Sequence, residues 1–372
     1  MMFDFAAESG LYMVKSPLNY VGGKFKLLKQ LLQDGKRDKA LKKALIPKEI
    51  DTFVDVFCGG FNVGANVSAN RVVAIDLDKD VIDLLTWVRD TPTHDGITTI
   101  KEIVKALDLT KHDTYEEKKA IAATALIEKM ETPQSAGEGV EDDIPDDEGG
   151  DPRYNLENDV NDINWPVGAK GRYMRARFIY NKARKAGEAT VLGYDIRAVL
   201  YTLICHGFNS HIRFGPNGYN IPFGYRTFND AMQRNFSEFT DRLRAEMPIL
   251  INAEFNHVET LDLGSADYVY LDPPYLITTA PYNERGEGWG DREEHALYAM
   301  LDRLDARGVR FGLSNVISHT GRTNEILAEW SGKYVLHDLD FHYDQASYNL
   351  KMSKEERAQM PTREVFVTNV RQ

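Results

Sequence analysis

The chain has 372 residues, a formal net charge of −12 and two cysteines. The length calls for one large α/β domain plus a second unit. Cys58 and Cys205 lie far apart with no metal spacing, no apolar run is long enough for a bilayer, and no signal-peptide pattern opens the chain. The expectation is therefore a cytoplasmic protein with reduced thiols, no metal and no membrane partner.

Met1 to Val14 carries no clear signal. Ser16-Pro17-Leu18-Asn19-Tyr20-Val21-Gly22-Gly23-Lys24 follows, and its two glycines permit a tight turn and close ligand approach. A helix is expected next, with Phe25, Leu28, Leu31 and Leu32 on one face and Gly35 beyond its end. Such a turn can hold an anion, but alone it reads more simply as a helix entry.

Thr52 to Phe57 reads as a buried strand running into Cys58-Gly59-Gly60-Phe61-Asn62-Val63-Gly64, with a helix beginning near Asn62. A second strand, Arg71 to Ile75, ends at Asp76. Strand, glycine turn, helix, strand and acid is the layout of a nucleotide-binding βαβ unit. The turn lacks the spacing of a dinucleotide fingerprint and has no cradle for a pyrophosphate, which fits S-adenosylmethionine better. Asp76 then meets a ribose or caps the helix carrying Val81 and Ile82; it could do both.

Residues 86 to 250 interrupt this pattern and look mainly helical, beginning with Tyr115 to Met130. Residues 131–151 form an acidic, Gly- and Pro-containing loop, expected to be disordered and solvated. Eight acids fall between 138 and 151, which leaves only −4 for the remainder. Lys170 to Lys185 carries seven basic residues and no acid, so phosphate contact through residues such as Arg175 and Arg177 is favoured over a plain solvated face. A helix from Tyr194 to His206 buries Ile196, Val199, Leu200, Leu203 and Ile204. Beyond it, Asn217-Gly218 between aromatic and apolar residues signals a hairpin, a shape that fits the major groove. Arg213 on it could read guanine or form a surface salt bridge.

Tyr268-Val269-Tyr270-Leu271 brings the chain back to the sheet and ends at Asp272-Pro273-Pro274-Tyr275. Neither proline can donate to a ladder, so the chain leaves the sheet here. The corner offers a carboxylate, stiff backbone carbonyls and an aromatic ring. An exocyclic nucleobase amine is a poor nucleophile, because its lone pair is delocalised into the ring. Two rigid acceptors on its N–H groups draw it towards a reactive geometry, and the tyrosine can stack on a base taken out of the duplex. Ile277 to Gly290 is a candidate lid or simply a loop. A helix capped by Asp291 follows, burying Leu297, Met300, Leu301 and Leu304 and ending at Gly308. Val309 to Leu313 is a further buried strand, and the tail supplies final antiparallel strands, including Glu364 to Thr368. His337 and His342 show no metal-ligand spacing.

Taken in order, Pro17 to Lys24, Phe53 to Gly60, Asp76, His206 to Asn209, Asn220 to Gly224, Asp272 to Tyr275, Leu313-Ser314-Asn315 and Glu364 to Asn369 resemble the Dam-like family of N6-adenine-specific DNA methyltransferases. The resemblance implies a doubly wound, mostly parallel Rossmann-like α/β sheet with an antiparallel last hairpin. It also implies a helical target-recognition domain carrying a β-hairpin. The expected division is 1–85 with 251–372 as catalytic domain and 86–250 as recognition domain. S-adenosylmethionine contacts are implied at Tyr20, Lys24, Asp76 and Asp272, and Gly22, Gly23, Asp55, Phe57, Gly59 and Gly60 complete the expected cofactor set. Lys24 could face the cofactor or the target base. Asp272, Pro273, Pro274 and Tyr275 are the expected catalytic corner. In the family an aromatic at the place of Phe208 fills the base stack, an arginine at the place of Arg213 reads guanine and Pro222 lies against a base. Asn209, His211, Asn220 and Arg226 join them as expected DNA contacts. Phe61 stands where a third glycine is common, and Tyr225 where a basic residue often stands.

The expected activity is methyl transfer to adenine N6 in double-stranded DNA, at GATC or a related short site, with no obligatory protein partner. Two other readings stay open at this point: the same corner acting on cytosine N4, RNA or a protein amide, and a non-catalytic DNA-binding module with the same fold.

Overall fold

A computed structural model describes residues 13–20, 22–33, 44–109, 112–131, 155–277, 289–339 and 362–371. Residues 132–151 of the acidic loop, 278–288 of the expected lid, Gly35 and His342 lie outside them. In chain order the regular elements are α1 (Leu28–Leu32), β1 (Thr52–Val56), β2 (Arg71–Asp76), α2 (Lys79–Asp90), α3 (Thr93–Ala106), α4 (Tyr115–Glu131) and α5 (Ala169–Lys185). Then come β3 (Thr190–Val191), β4 (Tyr194–Asp195), α6 (Ile196–His206), β5 (Phe214–Gly215), β6 (Gly218–Tyr219), α7 (Asp230–Glu246), β7 (Ile249–Asn252) and β8 (Tyr268–Leu271). The last are α8 (Asp291–Ala306), β9 (Arg310–His319), β10 (Arg322–Thr323), α9 (Glu325–Ser331), β11 (Val335–Leu339) and β12 (Arg363–Thr368).

The chain forms two compact units. The first spans Met1–Lys15, Gly23–Ile82 and Arg242–Gln372, and the second spans Ser16–Gly22 and Asp83–Asp241. The segment before Lys24 is thus divided: Tyr20 and Gly22 fall in the second unit, Gly23 and Lys24 in the first.

In the first unit the sheet runs β11-β12-β9-β8-β1-β2-β7, with β10 paired to β9. The five strands from β9 to β7 are mutually parallel, and β12 and β11 are antiparallel. Alternation sorts the side chains into two layers. Val54, Val56, Val269, Leu271, Phe311 and Leu313 join Leu297, Met300, Leu301 and Leu304 of α8 in one core. On the other face Phe53 stacks with Tyr268 and Tyr270, and Tyr270 with Phe366. Gly312 is required there, since a Cβ would stand 2.2 Å from the Phe366 ring and 2.4 Å from the Tyr268 hydroxyl.

Two local expectations are corrected, and the expected hairpin gains its exact loop. No α-helix follows the Cys58 to Gly64 turn before β2; residues 64–66 make only a 3-10 turn. Gly64 donates its N–H to Asp55 (2.8 Å), and the Asn66 amide spans Val14 and Asn62, so side chains rather than a helical ladder satisfy this backbone. Helix α8 begins at Asp291, and Gly290 occupies the N-cap position with its N–H donated to Glu293. The hairpin loop is Pro216-Asn217, because Gly215 pairs with Gly218. Gly218 opens the return strand at φ 98°, where a Cβ would lie 2.4 Å from the Asn181 oxygen.

In the second unit α6 is the central helix: every residue from Ala198 to His206 is buried, and it packs on α3 and α5. Trp87, Tyr201 and Phe236 interlock with ring centroids 5.2–5.8 Å apart. The β5–β6 hairpin is held to α5 by Asn181, which accepts from Tyr219 N (2.8 Å) and donates to Tyr219 O (2.9 Å). Cys58 and Cys205 are both buried and unpaired with each other.

Candidate active site

In the first unit the strand order reverses at β1 and β8: from β1 the chain proceeds outward through β2 to β7, then returns to the other side of β1. Ligands of open α/β sheets bind outside the carboxyl ends of the strands at such a switch point. Asp272 stands there, its N–H 3.4 Å from Val56 O. Pro273 is buried, while Asp272, Pro274 and Tyr275 are half-buried.

Three distant segments converge on Asp272. Lys24 Nζ lies 2.8 Å from Asp272 Oδ1 and 3.6 Å from Glu364 Oε1. The Tyr275 hydroxyl is 3.0 Å from the same Oδ1 and 3.1 Å from the same Oε1, and Lys24 Nζ sits 5.1 Å from the Tyr275 ring centroid. Lys24 and Glu364 are 6% and 2% exposed against 18% for Asp272, so the aspartate is the member open to a ligand. Burial alone would lower the Lys24 pKa, but the Asp272 and Glu364 carboxylates outweigh it and hold the ammonium above its ordinary value. Burial raises Asp272, Glu364 adds to the rise, and Lys24 and the Tyr275 hydroxyl oppose it.

Two more acids of the first unit shape the glycine turns. Asp55 is 2% exposed and accepts from Gly64; burial pushes its carboxyl well above the usual range. Asp76 accepts from Gly59 N (2.8 Å) through one oxygen and Asp78 N (2.9 Å) through the other, so it ties the turn to the start of α2. Burial raises its pKa too. Phe57 and Phe61 hold φ of 61° and 59° in this turn, conformations that cost about 1–3 kcal/mol each for non-glycine residues. Phe61 is kept there by its buried ring, which passes 2.1 Å from where a Cβ of Gly64 would be. Gly59 and Gly60 are buried.

Among the described residues, these groups suit a cationic nucleoside cofactor. Asp76, Asp272 and Glu364 bring three carboxylates to this unit against the Lys24 ammonium, a balance that favours a sulfonium donor. Phe57 stacks on Phe255 (5.6 Å), and Trp289 meets both edge-on at 5.4 and 5.8 Å, giving an aromatic wall next to the turn. Sequence reasoning missed Phe255, Trp289 and the role of Glu364. Glu364 was legible only as part of a closing motif, and nothing local links residue 364 to residue 24.

The second unit gathers most of the expected DNA contacts. Phe208 N donates to Pro222 O (2.8 Å), Gly224 N donates to His206 O (2.9 Å), and Gly207 bridges Phe223, so the two segments are zipped together. Phe208 is 43% exposed beside Asn209, whose φ of 51° turns the chain out; Tyr225, at φ 50°, is 66% exposed. Asn19 donates to Asn209 O and bridges His211, which fixes the Pro17 to Tyr20 segment to this edge. Arg213 Nε donates to Asn220 Oδ1 (2.8 Å). Arg226 reaches Ser210 Oγ at 3.4 Å. Burial, with Arg213 and Arg226 nearby, lowers the His211 pKa.

The basic helix α5 is more architectural than its sequence suggests. Arg177 donates to Ile221 O (2.8 Å), Arg184 lies 4.9 Å from the Phe214 ring centroid, and Arg172 pairs with Glu117. Lys182 holds Asn158 O and Lys185 holds Glu157. Lys170 and Arg175 are exposed.

No helix among the described residues is long and apolar enough to cross a membrane. Residues 20–345 match the model of the D12 class N6 adenine-specific DNA methyltransferases. The type II methyltransferase M.FokI of Planomicrobium okeanokoites is 33% identical over 362 residues, covering 96% of this chain and 43% of that protein. The modification methylase StsI of Streptococcus sanguinis is 31% identical over 363 residues, again 96% and 43%. The modification methylase LlaI of Lactococcus lactis subsp. lactis is 34% identical over 175 residues, 46% of this chain and 26% of that protein. The chain thus spans less than half the length of these curated relatives. With the family model covering most of its length and the acid corner at its switch point, the chain belongs to the D12 class N6 adenine-specific DNA methyltransferases.

Proposed function

We propose that this chain transfers a methyl group from S-adenosylmethionine to N6 of an adenine flipped out of double-stranded DNA, at GATC or a related short site. The observation that carries the reading is the state of Asp272. Its Oδ1 takes both Lys24 and the Tyr275 hydroxyl, while its Oδ2 has no partner among the described residues. Oδ2 is the acceptor for one N–H of the target amine, and the Pro273 carbonyl is the acceptor for the other. Lys24 lies over the Tyr275 ring, so a stacked base uses the opposite face.

S-adenosylmethionine, when bound, supplies a methyl group activated on a sulfonium. Asp76, Asp55 and the backbone of the Phe57 to Gly60 turn hold it, with the Phe57, Phe255 and Trp289 wall beside them. Asp272 draws electron density onto N6 by accepting its proton, and that proton leaves to Oδ2 as the N6–carbon bond forms. The donor's sulfur would keep the electron pair of the methyl–sulfur bond, so no further group would be needed to balance the transfer. On the DNA side, Asn220 occupies Arg213 Nε, so the guanidinium fork is directed by its terminal nitrogens, the geometry for guanine O6 and N7. Phe208 is the wedge for the vacated stack. Arg175 is the phosphate contact on α5, and Arg177 acts through the Ile221–Pro222 backbone.

Purified protein incubated with tritiated S-adenosylmethionine and duplexes with or without GATC, followed by nucleoside analysis, tests this. N6-methyladenine is the expected product. N4-methylcytosine, or DNA binding with no transfer at saturating cofactor, overturns the reading. A 2-aminopurine at the target position should brighten on binding if the base is flipped.

A further inference from the structure

Glu364 enters the site from the second residue of β12, just past a register shift, where it pairs with Val316 of the antiparallel β9. A carboxylate 2% exposed in a sheet interior is costly unless paired. Among its partners are the two groups that address Asp272: the Lys24 ammonium at 3.6 Å and the Tyr275 hydroxyl at 3.1 Å. The hydroxyl has one proton and stands almost equally far from two carboxylates. The ammonium likewise is shared between them. Glu364 and Asp272 therefore form one hydrogen-bonded system, in which each sets how strongly the other holds Lys24 and Tyr275.

We propose that Glu364 is a positioning residue for methyl transfer: by sharing Lys24 and the Tyr275 hydroxyl with Asp272, it fixes both on the Oδ1 edge and leaves Oδ2 to the target amine. With Glu364 absent, Lys24 loses one of the two carboxylates it shares, and its pairing with Asp272 can shift across both oxygens and cover the acceptor that the amine needs. The negative charge of Glu364 also keeps Lys24 from neutralising Asp272, which sustains the basicity needed to take the N6 proton. This rests on Asp272 being the amine acceptor proposed above.

The groups facing Asp272 are Lys24, Glu364 and Tyr275, together with Asp55 of the neighbouring β1 and Tyr270 of β8, the strand that leads into Asp272. Of these, Glu364 raises the Asp272 pKa, whereas Lys24 and Tyr275 lower it. Removing the Glu364 charge therefore moves the acid limb of the reaction, set by protonation of Asp272, to lower pH. A residue that served only to fill space in the sheet would leave that limb in place.

The test is E364Q, nearly isosteric, measured as a single-turnover rate constant on preformed enzyme–DNA complex at saturating S-adenosylmethionine across pH 5 to 9. Because a rate constant does not depend on the fraction of folded protein, partial misfolding reduces only the amplitude. The expected result is a plateau rate lower by roughly tenfold or more, with an acid limb at lower pH than in the parent. A plateau within about twofold of the parent, or an acid limb unmoved or raised, overturns the inference. If the parent itself transfers no methyl group, it is the proposed activity that fails, so the two failures are distinguishable.

Discussion

The two units use charge in opposite ways. In the first, Lys24 and Glu364 are withdrawn from water and gathered around the half-buried Asp272. In the second, Arg213, Asn220 and Arg226 lie on an edge open to solvent, alongside the exposed Phe208 and Tyr225. Bond-making chemistry needs acceptors that do not reorganise, and burial within a sheet gives that rigidity. Reading a duplex needs groups that reach outward and remain hydrated until the partner arrives. The second unit accordingly engages most of α5's positive charge in contacts of its own, and keeps comparatively few charges for display.

The contrast is open to direct attack. The largest expected effect is for Asp272→Ala, which removes the acceptor altogether. Turnover should fall by roughly 10³-fold or more while DNA affinity in a gel shift stays near the parent's. Undiminished turnover would mean the buried cluster is not the chemical centre. Lys24→Met leaves two carboxylates facing each other without their cation, at a cost of roughly 3 kcal/mol in a urea titration. It also withdraws the charge that lowers the Asp272 pKa, so its acid limb should move to higher pH, opposite to the shift expected for E364Q.

Arg213→Ala touches only the displayed charge. It should leave the single-turnover rate intact and cost roughly 1–3 kcal/mol in discrimination between a guanine-containing site and its mismatched versions. Equal discrimination before and after would remove Arg213 from the reading edge. The smallest effect concerns Asp78, which accepts from Asp80 N at the start of α2 and whose pKa burial lifts to about 6. The folded state holds this proton more tightly than the unfolded chain. Stability is therefore fully present below the ordinary carboxylate range and is lost as pH rises towards 6. Asp78→Asn keeps the cap without the charge. Its melting temperature relative to the parent should be more favourable at pH 8 than at pH 4; an equal difference at both would show that the burial is unimportant.

Much of the first unit was legible because its signals are local. Tyr268 to Leu271 is a four-residue apolar run closed by Asp-Pro-Pro, and all four side chains are buried. Arg71 to Asp76 and Glu364 to Thr368 were equally plain. The helix expected after Asn62 failed because buried Asp55 and Asn66 satisfy that backbone, which hydropathy does not register. Asn-Gly signalled the hairpin that β5 and β6 form, but not its loop, because Asn181, on another element, fixes where Gly218 must lie. The unbroken basic run on α5 invited a nucleic-acid reading, and the partners of Arg172 and Arg177 are 55 and 44 residues away. The site shows the same divide. Asp272 announces itself, whereas Glu364 acquires meaning only through contacts with residues 89 and 340 positions earlier.

Strand β12 is late in the chain yet interior in the sheet, flanked by β9 and β11 on its two sides. During synthesis the outermost strand β11 has no neighbour to lie against until this segment emerges and slots between them. Completion of the sheet edge and delivery of the third charged group are then a single event. A molecule arrested before that moment would carry the Asp-Pro-Pro-Tyr corner but not the finished cluster, so the fold couples assembly of the charged corner to the arrival of β12.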